Sequence, residues 1–149
     1  MPDAHPDAGR FEVRVTSDSH FGWLRTRLSV ERTMMSWLRT AVSLIGFGFA
    51  IVQFFERFEN MAGVEAAQHP SAPKYLGLAL ITSGIAALII SIWQYRWTIH
   101  YLWGADFAPI AGMRAGATKE QMQSPILAVA VLLVLIGLFA FFAVLLRLV

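Results

Sequence analysis

Cysteine is absent from this chain of 149 residues, which excludes disulfides, thiolate nucleophiles and cysteine metal sites together. Charge is scarce as well. Asp, Glu, Lys and Arg make up 15% of the residues and hydrophobic types 56%, whereas a soluble domain carries about 25% charge. The formal net charge of +2 is too small and too scattered to point to nucleic acid. There is no N-terminal apolar core closed by a small-residue cleavage site, so a cleavable signal peptide is not expected. Internal repeats are missing too, and no stretch outside the apolar runs leaves room for a soluble catalytic domain.

What remains is three apolar runs: Trp37–Phe55, interrupted by the single charge of Arg39, and the charge-free Tyr75–Trp93 and Pro125–Leu146. At 1.5 Å per residue each makes roughly 28–33 Å of helix, the thickness of a hydrocarbon core. The spacing predicts an all-α integral membrane protein with three transmembrane helices, over about 37–55, 75–97 and 125–146. Residues 1–20, rich in Asp, Pro, Ala and Gly, are expected to be a disordered cytoplasmic tail ahead of a membrane domain over 21–149. Phe11–Val15 alternates apolar and charged residues but is too short to hold a strand alone. The cations set the orientation. Arg10, Arg14, Arg25, Arg27, Arg32, Arg39, Arg96, Arg114 and Lys119 lie on one side, against Arg57, Lys74 and Arg147 on the other. The N-terminus and the second loop are therefore expected in the cytoplasm and the C-terminus outside.

Ahead of the first apolar run, Phe21, Leu24, Leu28 and Met35 fall at helical spacing, with the arginines on another face. No Gly or Pro interrupts Trp23 to Ile45, so a basic amphipathic lead-in at the cytoplasmic surface should continue into helix one. Gly46 and Gly48, and in helix two Gly77, Ser83, Gly84, Ala86 and Ala87, would let neighbouring backbones come close. Trp93, Trp97 and Tyr101 recur at four-residue steps with Arg96 and His100 between them, the composition of an interfacial belt. Gly104 and Pro109 break that helix, and Ser124–Pro125 opens the next as a cap followed by a first-turn proline.

One pattern asks for a function. Arg25, Ser29, Arg32, Ser36, Arg39 and Ser43 are spaced alternately by four and three, the step that keeps side chains on one seam of a helix. In a parallel oligomer the three arginines would form stacked rings about 10.5 Å apart. Such rings select anions, and the planar guanidinium suits phosphate. The seam could equally pack against another helix. Alternatively Arg39 reaches back to the headgroups while Arg25 and Arg32 hold anionic lipid. Glu31 lacks a second acid or base and is expected to pair with Arg27 or with a neighbouring subunit. His100 and Asp106 make at most two metal ligands, and His5, His20 and His69 are isolated. No enzyme activity, metal or cofactor is expected.

From Leu28 to Ala50 the chain, with Glu31-Arg32-Thr33 followed by Trp37-Leu38-Arg39-Thr40, resembles the signature of the YidH-like proteins. These are small three-helix inner-membrane proteins of bacteria grouped as a domain of unknown function. The same domain is similar to the transmembrane subunits of the vacuolar transporter chaperone complex, which makes polyphosphate and moves it across a membrane. The resemblance implies the three-helix fold, the bacterial inner membrane, and first helices gathered around a path lined by basic residues. Arg32, Arg39 and Glu31 match motif positions, and Arg25 lies just upstream. The chain departs from the pattern at Val30, where the family commonly has Asn, and it has no attached polymerase or phosphate-sensing domain. The expected function is a homo-oligomer whose basic seam forms a conduit or vestibule for a phosphate-rich anion. The alternative is a non-conducting accessory protein that docks a partner helix or anionic lipid.

Overall fold

The computed structural model of the chain describes residues 14–59, 61, 71–104, 107–111 and 124–146. It contains α1 over Ser17–Glu59, α2 over Ala72–Leu102 and α3 over Pro125–Leu145, and no strand among the described residues. All three helices are long and apolar enough to cross a membrane. Their lengths differ markedly, at about 64, 46 and 31 Å, so α3 alone is close to one hydrocarbon core long. Helix one starts at Ser17, inside the stretch expected to be a tail; residues 1–13 lie outside the described residues. The early start has a local cause. The Thr16 hydroxyl accepts the Ser19 amide at 3.1 Å, and Asp18 lies in the first turn, where the positive end of the helix dipole favours an acid. Helix three opens on the expected cap, the Ser124 hydroxyl accepting the Ile126 amide at 3.4 Å with Pro125 in the first turn. At its other end, Lys74 donates to the Leu145 carbonyl at 3.3 Å.

Two heptad-spaced seams join α1 to α2. On α1 the buried seam residues are Met34, Leu38, Ala41, Ile45, Gly48 and Val52; on α2 they are Gly77, Ile81, Gly84, Leu88, Ser91 and Tyr95, with Ile85 buried beside them. Both run in steps of four and three, so the pair packs as an antiparallel coiled coil. Small residues bring the backbones together where it matters. A Cβ built on Gly48 would stand 2.7 Å from the Gly77 carbonyl oxygen, and one built on Gly77 would overlap the Val52 side chain. Higher up, a Cβ on Gly84 would stand 2.9 Å from the Ala41 carbonyl oxygen. Gly46 departs from expectation, since no atom lies within 4 Å of its Cβ position. It is off the seam and faces outward. Helix three closes the bundle against both partners through Ala130, Gly137, Ala143 and Val144.

A second, smaller core fixes the start of α1. Trp23 is buried with Leu102, Ile110 and Ala111, and Phe107 and Trp103 pack on them. Its indole Nε1–H donates to the Leu102 carbonyl at 2.9 Å, and its ring meets Trp103 edge-on at 5.2 Å. His20 Nδ1 lies 2.7 Å from the Ile110 carbonyl oxygen. The expected apolar stripe is therefore not the packed one. Phe21, Leu28 and Met35 stay exposed, with only Leu24 half-buried against the small core.

Candidate functional site

The six seam residues Arg25, Ser29, Arg32, Ser36, Arg39 and Ser43 each precede a buried seam residue, Met34 through Val52, by nine positions. Nine residues at 3.6 per turn are two and a half turns. The polar seam thus centres on the opposite side of α1 from the face that packs on α2, with Ser29 at its edge. All six residues are exposed, and the stripe rises about 27 Å from Arg25 to Ser43. Not every hydroxyl along it is free to act as a donor. Ser43 donates to the Arg39 carbonyl at 2.9 Å, and the adjoining Thr33 and Thr40 donate to the carbonyls of Ser29 and Ser36.

Beside the seam, a groove of about 420 Å³ brings Glu31, Arg32, Ser36 and Arg39 together with Leu28, Met35 and, from the first turn of α3, Ile126. The groove thus runs along α1 from Leu28 to Arg39, with the first turn of α3 on one wall. Glu31 is within 3.7 Å of Arg27, one turn earlier on the same helix, and the Arg27 guanidinium lies 5.9 Å from the Trp23 ring centre. Arg27 is thus drawn away from the seam, toward the small core. Of the belt residues, Trp93, Trp97 and Tyr101 are all exposed, and the last two stack at 6.2 Å. Asp106, His5 and His69 lie outside the described residues, and His20 is committed to the Ile110 carbonyl. Among the described residues no three His, Cys, Asp or Glu side chains gather as a metal site.

The structure adds residues that sequence reasoning passed over. A polar notch of about 160 Å³ between α1 and α2 is lined by Ser29 and Thr33 on one side and Ser91, Gln94, Tyr95 and Thr98 on the other. The α2 members sit at i, i+3, i+4 and i+7, a polar face that the spacing alone displays. Trp23 carried no such signal, because its partner Leu102 is 79 residues away.

The model for the family described as Domain of unknown function (DUF202) matches residues 25–101, which takes in the whole polar seam and nearly all of α2. The chain belongs to that family, the YidH-like domain family, as the Leu28–Ala50 motif implied. The match does not extend to the likeness with the vacuolar transporter chaperone subunits. No curated protein and no solved structure matches the chain.

Proposed function

We propose that this DUF202 membrane protein works without enzymatic activity, as a homo-oligomer in the bacterial inner membrane. Its first helices set their polar seams around a common axis as a vestibule or conduit for a phosphate-rich anion. The observation that carries this reading is the exposure of all six seam residues on the side of α1 away from its buried seam, bordered by α2 at Ser29 and by α3 at Ile126. A cationic stripe that enters an apolar segment needs water, an anion or another chain to face. Arg25 and Arg32 lie ahead of the apolar run and would form the cytoplasmic mouth, with Arg39 at the threshold. The excess of Lys and Arg at that end supports an inside N-terminus and an external C-terminus, with the start of α1 as a basic lead-in.

In the double variant Arg32→Gln/Arg39→Gln, retention of a short-chain polyphosphate by the nanodisc-embedded protein is expected to fall at least about tenfold. Native mass should show the same oligomer, because both side chains are exposed. Unchanged anion binding in an intact oligomer would refute the vestibule. One observation favours a second reading. Arg39 lies two residues inside the apolar run and borders a groove that reaches Ile126, and from that depth a long side chain reaches the headgroups at little cost. A monomeric native mass would select that reading: a non-conducting accessory protein whose seam docks anionic lipid or a partner's helix.

A further inference from the structure

A groove of about 700 Å³ runs between α2 and α3, and none of its lining residues comes from α1. Its composition is graded along the bundle. At the end where α2 finishes stand Arg96 and His100, one turn apart on one face; toward mid-bundle the walls are Ile89 and Ile92 from α2 and Val131 and Leu135 from α3. Trp93 and Trp97 flank the transition, 71% and 65% exposed. Among the described residues no acidic one lines the groove. Helices α2 and α3 are both long and apolar enough to cross a membrane, so this gradient runs along the bilayer normal. It places the cation among the indoles near the end of α2, then about 6 Å of aliphatic wall from Trp93 to Ile89.

We propose that this groove holds one molecule of an anionic glycerophospholipid, separately from the seam on α1. The lipid phosphate sits on the Arg96 guanidinium beside His100, at the depth where indoles favour the headgroup layer. One acyl chain lies along Ile89, Ile92, Val131 and Leu135. The order of polarity in the groove is the order of polarity in the lipid, and the positive end selects an anionic headgroup over a zwitterionic one. The site is independent of the proposed function, since its residues lie on other helices.

The test is native mass spectrometry of the full chain released from nanodiscs of equimolar phosphatidylglycerol and phosphatidylcholine. Phosphatidylglycerol should be the lipid retained. Arg96→Gln should lower its preference about fivefold, the effect of one cation near a membrane surface, and Arg96→Lys should keep most of it. Leu135→Trp, which fills the groove from its exposed wall, should reduce retention of both lipids, whereas Arg32→Gln/Arg39→Gln should leave retention at the wild-type level. Equal retention of the two lipids by the unaltered chain would overturn the proposal, as would an Arg96→Gln variant that binds like it. Displacement of the lipid by millimolar inorganic phosphate would also overturn it, marking a free-anion site instead. Loss of the preference in the Arg32/Arg39 variant alone would move lipid binding to the seam.

Discussion

Replacing Trp23 with alanine is expected to cost about 3–5 kcal/mol and to release the start of α1 from the turn that follows α2. Three separate interactions converge on that side chain. The indole is 6% exposed among Leu102, Ile110 and Ala111, its Nε1–H serves the Leu102 carbonyl at the end of α2, and its ring supports Trp103. The hydrogen bond matters because the last carbonyls of a helix have no partner within it. Trp23→Phe keeps most of the apolar surface and loses only the donor, so its cost should be nearer 1–3 kcal/mol, about that of one buried unsatisfied acceptor. Hydrogen–deuterium exchange in nanodiscs would report this directly. Amides over 17–23 and 107–111 should gain exchange in Trp23→Ala while those of the α1–α2 seam stay protected. Protection unchanged over both stretches would mean that Trp23 does not hold them together.

Gly77→Leu should do comparable damage at the opposite end of the bundle. Even a Cβ at this position overlaps Val52 and comes 2.7 Å from the Gly48 carbonyl oxygen, and backbone atoms cannot rotate away as a side-chain tip can. Overpacking of this kind costs about 1–3 kcal/mol or more. In this seam it should force α1 and α2 apart, lowering the thermal midpoint in detergent. Gly48→Leu meets the reciprocal contact, the Gly77 carbonyl oxygen at 2.7 Å, and should behave alike. Gly46→Ala supplies the contrast. Its Cβ meets nothing within 4 Å, and alanine is favoured over glycine inside a helix by about 0.5–1 kcal/mol, so this variant should melt no lower than the parent chain. Equal losses at Gly46 and Gly77 would contradict the close approach at Gly48 and Gly77.

The three helices were legible because runs of about twenty apolar residues have few other uses. Their packed faces were not. In a bilayer the lipid tails are as apolar as leucine, so an apolar stripe such as Phe21, Leu28 and Met35 does not distinguish an inner face from an outer one. Size was the better guide. Gly48, Gly77 and Gly84 lie where the helices meet, although size alone also picked out Gly46, which faces away. The polar seam could be read as a stripe from its spacing, but its direction could not. That needed the buried seam, which includes residues as unremarkable as Ala41 and Ser91. The small core around Trp23 was hidden for another reason. It joins residues far apart in the chain, and no local pattern announces that Leu102 will need a donor.

The antiparallel pairing of α1 with α2 has a consequence for the arginines on the far side. An ideal straight helix drifts by about 20° per heptad against a strict seven-residue repeat. Over the two and a half heptads from Arg25 to Ser43 the stripe would therefore wander by about 50° around the axis. Packing on a heptad seam favours underwinding toward about 3.5 residues per turn, which wraps such a pair in a left-handed supercoil. Underwinding turns both faces of a helix together, so along the packed stretch the outer stripe is brought into line with the inner one. Where the buried seam and the stripe overlap, from Met34 to Ser43, packing against helix two therefore also straightens the outward edge that carries Arg39.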